Sequence, residues 1–208
     1  MPDHADTNFH TETSSSSVTR SFIGLPLADE LSRAISFRVK PLQLAHKAQL
    51  NDGSIRWIPP ENWHITLAFL GDQPFSLLEQ LHQDLTKVCD NTFAFSADLI
   101  SLAKFPDAKS RIIAALVEPC DSLLMLQTAV SELCDQRGIT LDQRKFKPHI
   151  TLARLKRGSE QADFDSVLDQ SWQQSATWNR VMLYGSRLTP GGSVYQSLSQ
   201  FALSVPSN

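Results

Sequence analysis

The residues best suited to chemistry are two histidines, each followed two positions later by a threonine. His64 and Thr66 stand in ENWHITLAFLG, and His149 and Thr151 stand in FKPHITLARLK, so the pentapeptide HITLA is spelled twice, about 85 residues apart. Side chains alternate across a β-strand. In each motif His and Thr therefore share one face, and Ile and Leu turn to the other. An imidazole, with an ordinary pKa of ~6.5, can give or take a proton near neutrality. Two of them facing each other across a cleft can divide the work: one takes a proton from a nucleophile, the other gives one to a leaving group. The threonine hydroxyls can donate to oxygens whose charge grows in the transition state. A phosphodiester suits this set, and the set requires no metal.

The competing readings account for less. A single histidine in a strand is ordinarily structural, but packing alone has no need to keep both polar positions in both copies. His4, His10, His46 and His82 lack the threonine partner and sit in the polar start of the chain or in helical patterns. Zinc wants three or four protein ligands, and no Cys or acidic residue stands at ligand spacing from either motif histidine. The eight glycines form neither GxGxxG nor GxxxxGK[ST]. With a net charge of −3, an anion must be attracted by local charge. RKFKPHITLARLKR supplies it with Arg144, Lys145, Lys147, Arg154, Lys156 and Arg157 and no acid among them. Arg154 follows His149 by five residues. On a regular strand that odd spacing turns it to the opposite face, so it reaches a bound phosphate only through a bulge or a strand end. Trp57 and Phe146 lie near the motifs and are candidates to stack on a base.

The elements that must position these residues follow from periodicity. Residues 1–17 are polar and Ser/Thr-rich and read as a disordered tail. RSFIGLPL (20–27) reads as a strand. Leu31, Ile35 and Val39 give helical spacing over 28–40, with Pro41 as the stop. Leu77, Leu78, Leu81, Leu85 and Val88 mark an amphipathic helix over 74–89. Residues 93–103 and 110–118 read as strands, and 121–138 as a helix with Asp121 as N-cap and Gly138 just past its end. Residues 178–188 and 193–203 read as strands joined by TPGG. Short neighbouring strands favour antiparallel pairing. The repeated pentapeptide argues for two similar lobes that each give one HITLA strand to a shared cleft. The expectation is an α+β fold, residues 18–205 forming one bilobal, pseudo-two-fold domain with two antiparallel sheets lining a central cleft and helices outside.

Composition narrows the class further. The chain is 41% hydrophobic and 20% charged, ordinary for a globular protein. No apolar run approaches the ~20 residues that span a bilayer, and the first twenty residues lack the pattern of a secretory signal. Cys89, Cys120 and Cys134 form no CxxC pair, and their odd number excludes a full disulfide framework. A cytoplasmic monomer without an obligate protein partner, a membrane or a cofactor is the expectation.

Two H-x-T-hydrophobic motifs with these flanks resemble the 2H phosphoesterase superfamily. FIGLPL, RWIPPENWHITLAFLG, FPDAKSRIIAALVE, RKFKPHITLARL and VMLYGSRLTPGGSVYQSL follow in the order of the bacterial RNA 2′,3′-cyclic phosphodiesterases, the 2′-5′ RNA ligase-like proteins. The resemblance spans about residues 20–203, and the long polar tail departs from it. It implies His64 as proton donor and His149 as proton acceptor, with Thr66 and Thr151 binding phosphate. Arg154 matches a basic position after the second motif, and Tyr195 an aromatic position in the C-terminal strand. The implied substrate is RNA or a nucleotide with a 2′,3′-cyclic phosphate end, opened to a 2′-phosphate. The reverse reaction, with a 5′-hydroxyl in place of water, makes a 2′-5′ linkage. The alternative from another class is an RNA- or nucleotide-binding module that uses the same cleft without turnover.

Overall fold

A computed structural model describes residues 18–45, 54–157, 172–189 and 192–205. The expected tail at 1–17 lies outside them. The strands are β1 (Val18–Pro26), β2 (Ile55–Trp57), β3 (His64–Pro74), β4 (Phe95–Phe105), β5 (Ile112–Val117), β6 (His149–Leu155), β7 (Gln174–Trp178), β8 (Arg180–Thr189) and β9 (Gly192–Ala202). The helices are α1 (Asp29–Ala45), α2 (Phe75–Asp90) and α3 (Asp121–Gln136), with a short 3₁₀ turn at Pro60–Asn62.

The strands form one curled antiparallel sheet in the order β7-β4-β5-β6-β3-β1-β8-β9, with β2 beside β6. The two expected sheets are the two halves of this order, β7-β4-β5-β6 and β3-β1-β8-β9. They meet where β3 and β6, the two HITLA strands, share the single pair Ile65↔Ile150. These are the same position of each motif, so an approximate two-fold axis passes between them. Beyond that pair the strands part, and β2 takes the vacated edge of β6 through Ile55↔Leu155, Arg56↔Arg154 and Trp57↔Ala153.

The helices cover one face of the sheet. α2 lies against β3, β8 and β9, α3 against β3 and β4, and the two touch each other. Leu78, Leu81 and Leu85 of α2, and Leu123, Leu126 and Val130 of α3, are buried in the same core as Ile65 and Ile150. Removing that apolar surface from water is what holds helices to sheet, at roughly 1.5–3 kcal/mol for each large side chain buried. Arg137, just past α3, reaches Asp84 and Gln80 of α2 and ties the pair at its end.

Two helix boundaries differ from the sequence reading. Pro41 does not stop α1, which runs on to Ala45. Proline removes the hydrogen bond to the carbonyl four residues back. Here both Pro41 and Phe37 are exposed, so water can satisfy that carbonyl, while Leu42, 1% exposed, anchors the last turn in the core. Asp121 is not the N-cap of α3: Cys120 holds that place without a side-chain cap bond, and Asp121 in the first turn favours the helix through its dipole instead. Gly138 follows the helix end with φ +73°, the left-handed conformation expected of it. The three-residue strand β2 carries too few residues to show a period of two.

Candidate active site

Each HITLA strand contains a bulge, and the bulge builds the site. Along β1 and β3 the register pairs Ile23 with Ala68 and Gly24 with Thr66, leaving Leu67 as an extra residue. Along β5 and β6 it pairs Ile113 with Ala153 and Ala114 with Thr151, leaving Leu152 extra. Two residues opposing one reset the alternation of the strand. Leu67 with Ala68, and Leu152 with Ala153, are therefore all buried. The fifth residue after each histidine's own position, Phe69 in β3 and Arg154 in β6, returns to the histidine face. This corrects the odd-spacing argument against Arg154: a regular strand would turn it away, and the bulge turns it back.

The cavity on that face is walled by His64, Thr66, Thr151, Arg154 and Tyr195, together with Arg20, Phe22 and Phe69 among others. His149 is not one of its walls but stands close enough that a proton on it disfavours one on His64. With Ile65 opposite Ile150 in antiparallel register, each histidine lies across from the other motif's threonine. Trp57 and Phe146 are not brought in. Trp57 packs against the core with its indole Nε1 buried and unpartnered. Phe146 lines a separate groove beside α3.

Both imidazoles are held the same way. Nδ1 of His64 lies 2.8 Å from the Asn62 carbonyl oxygen, and Nδ1 of His149 lies 2.8 Å from that of Lys147. A carbonyl only accepts, so Nδ1 carries the hydrogen in each ring and Nε2 is left to exchange protons. The matching partner, two residues back in each case, is the two-fold relation at atomic detail. Aromatic rings fix the planes. Phe22 stacks on His64 at 4.6 Å between centroids, with Tyr195 edge-on at 5.3 Å. Phe105 stacks on His149 at 3.7 Å. Gly24 lies behind His64, where a Cβ would meet the Ile65 carbonyl oxygen at 2.9 Å and His64 Cδ2 at 3.3 Å.

The electrostatics keep both rings neutral when the cleft is empty. Burial pushes the His64 imidazole down to about 4; its bond to the Asn62 carbonyl opposes this, while His149 and Arg154 add to it. Burial also lowers His149, against its Lys147 bond and with the help of Arg154. A bound phosphate would offset Arg154 and favour one added proton. Elsewhere in the basic cluster, Arg144 is turned to Asp142 in a paired, exposed contact, and so is not free for an anion. His82 is bound to Ser199 at 2.9 Å on the far side of β9. Among the described residues no three His, Cys, Asp or Glu side chains converge to hold a metal ion. No described helix is long and apolar enough to cross a membrane.

Phe22, Arg20, Phe69 and Phe105 were not singled out in the sequence. Phe69 could have been found: it is the counterpart of Arg154 in the other HITLA copy. Its ring carries the Arg20 guanidinium 4.9 Å from its centroid, so each half of the sheet presents a cation to the cleft by a different route. Phe105 left no such signal, because its contact with His149 crosses from β4 past β5 to β6.

Known proteins are similar to this chain in sequence and in fold. The RNA 2′,3′-cyclic phosphodiesterase of Geobacillus stearothermophilus is 35% identical over 138 residues, which is 66% of this chain and 42% of that protein. The chain thus spans less than half the length of that relative. The protein of the same name from Thermotoga maritima is 25% identical over 187 residues, covering 86% of this chain and 92% of its own. Among solved structures, E. coli LigT complexed with 3′-AMP superposes with a TM-score of 0.70 at 22% identity, over 89% of this chain and 98% of its own. That likeness concerns the fold alone. Residues 30–184, which include both HITLA strands, match the family model of the 2′-5′ RNA ligase superfamily, and the chain belongs to that superfamily.

Proposed function

We propose that this protein opens 2′,3′-cyclic phosphates at RNA or nucleoside ends, leaving a 2′-phosphate, by paired-histidine acid–base catalysis without a metal. The observation that carries the reading is the matched pair of imidazoles. Each is locked through Nδ1 to a carbonyl two residues back, and the two come from adjoining strands beside two threonines and Arg154. The names of the curated relatives support the substrate class.

In this mechanism Nε2 of neutral His149 takes a proton from water as the water oxygen bonds to phosphorus. The bond from phosphorus to O3′ breaks, and Nε2 of protonated His64 gives its proton to O3′. Thr66 and Thr151 donate hydrogen bonds to the non-bridging oxygens, and Arg154 balances their charge. The product holds a 2′-phosphate and a 3′-hydroxyl. His149 ends protonated and His64 neutral, and exchange with solvent resets both. His64 is the harder ring to protonate in the empty cleft, so the substrate anion must supply the field that keeps its proton in place. With a 5′-hydroxyl as nucleophile the same steps make a 2′-5′ linkage. The three cysteines are free thiols, which supports a reducing, cytoplasmic setting.

The test is incubation of purified protein with an RNA ending in a 2′,3′-cyclic phosphate, in EDTA, with identification of the product terminus. A 2′-phosphate is expected, its formation slowed about 10²–10⁴-fold in His64→Ala and in His149→Ala. A 3′-phosphate product, or full activity in either variant, would overturn the mechanism. Binding without turnover, unchanged when both histidines are removed, would make the cleft a binding module.

A further inference from the structure

The rim of the cleft holds cations that the hydrolytic mechanism leaves unused. Arg56 of β2 is the direct partner of Arg154 of β6, and residues directly opposite on antiparallel strands point to the same side. The next pair, Ile55 and Leu155, is buried at 3% and 5%. The core therefore lies on the other side, and Arg56 joins Arg154 on the cleft face. Lys156, two residues further along from Arg154, extends the row. Its N–H donates to the Ser54 carbonyl at 2.8 Å, so the pairing of β2 with β6 continues to that point.

Like charges placed opposite one another destabilise a sheet. Among the described residues, none of these three cations forms an ion pair with a carboxylate. Arg56 is also braced from the other half of the sheet. Gly192, which opens β9 with φ +123°, leaves bare backbone against it, where a Cβ would lie 3.3 Å from a guanidinium nitrogen. Ser193 and Leu188 of the same hairpin wall the cavity. A braced, uncompensated row of cations on a net acidic protein is built for an anion.

The cavity itself encloses about 200 Å³, below the roughly 300–1,000 Å³ of sites that engulf a drug-sized molecule. It suits a terminal sugar phosphate, and a longer strand must leave over the rim. Residues two apart on a strand are about 6.6 Å apart, close to the step between successive phosphates of an extended nucleic acid strand.

We propose that Arg56 and Lys156 form a subsite for the phosphodiesters immediately upstream of the cyclic end, so that the substrate class is an RNA oligonucleotide rather than a free cyclic nucleotide. This rests on the cyclic-phosphate reading above. The experiment compares kcat/KM for a pentanucleotide with a 2′,3′-cyclic end and for a mononucleoside 2′,3′-cyclic phosphate, across a range of salt. The unsubstituted protein should favour the pentanucleotide. In the Arg56→Gln, Lys156→Gln double variant the ratio of the two should fall about tenfold or more. The salt slope should weaken by about 0.7 for each phosphate that is no longer neutralised. A merely structural role would lower both substrates alike, and an unchanged ratio overturns the proposal. If the unsubstituted protein turns over neither substrate, the hydrolytic reading fails, and the subsite is judged on binding. Weaker capture of a labelled 2′-phosphate-ended pentanucleotide by the double variant upholds it; equal capture overturns it.

Discussion

Replacing Gly24 with alanine should damage catalysis from behind the site. Gly24 is in β1, bonded on both sides: Thr66 of β3 is its partner on one edge and Met182 of β8 on the other. An alanine Cβ would sit 2.9 Å from the Ile65 carbonyl oxygen and 3.3 Å from His64 Cδ2. The first contact is with backbone, so no side-chain rotation relieves it, and β1 and β3 must separate by a few tenths of an ångström. Ile65 is also the residue through which β3 meets β6. The separation therefore moves His64 relative to His149 rather than moving both together. A misplacement of 1 Å can cost about 10²-fold in rate, so a shift of a few tenths should lower kcat about tenfold. Overpacking should cost about 1–3 kcal/mol of stability. The assay is kcat and KM on a cyclic-phosphate RNA, with thermal unfolding in parallel. Gly185→Ala is the control. Its Cβ would press on side chains alone, Thr19 and Leu198, and should change stability little and kcat not at all. A Gly24→Ala variant with full kcat and an unshifted Tm would refute the close-approach argument.

The histidine pair should make both activity and stability depend on pH on the acid side. Turnover needs one ring protonated and one neutral. With His64 near 4 and His149 lowered from its usual value, the bell of kcat/KM for the free enzyme should centre below pH 6.5; a maximum above pH 8 would contradict it. Because the folded-state value of His64 is depressed, the unfolded chain binds more protons between about 4 and 6.5. Stability should therefore be fully present above pH 6.5 and fall as pH drops towards 4, by at most about 3 kcal/mol from this ring. Urea unfolding at pH 5 and pH 7 measures it, and equal midpoints would count against the depressed value. Arg154→Gln should lower kcat/KM about 10²–10³-fold. It should also raise the titration points of both imidazoles, since Arg154 lowers each. NMR titration of the two rings checks the second effect, and unmoved titration points would remove Arg154 from the site.

Much of the site was open to a reading of the chain alone, because its chemistry is local. His and Thr two apart on a strand share a face whatever the strand later packs against, and the repetition of HITLA implies a pair. The apolar periods of α2 and α3 were legible for the same reason, since 3.6 residues per turn is a property of the backbone. The boundary at Pro41 misled, because whether proline ends a helix depends on which side of the helix loses its hydrogen bond.

What only the tertiary structure decided is contact between residues far apart in the chain. The bulges at Leu67 and Leu152 exist in the register against β1 and β5, so the strand's own alternation placed Arg154 on the wrong face. The ring of Phe105 over His149, the clearance at Gly24 and the alignment of Arg56 with Arg154 each arise from strands brought together by the sheet order. The depression of the histidines has the same origin: desolvation depends on how many groups from other strands close over a ring. Sequence by itself determined which groups can carry protons and that they come in pairs. Packing determined how they face, how dry they are and what stands beside them, because those are properties of neighbours the linear order does not name.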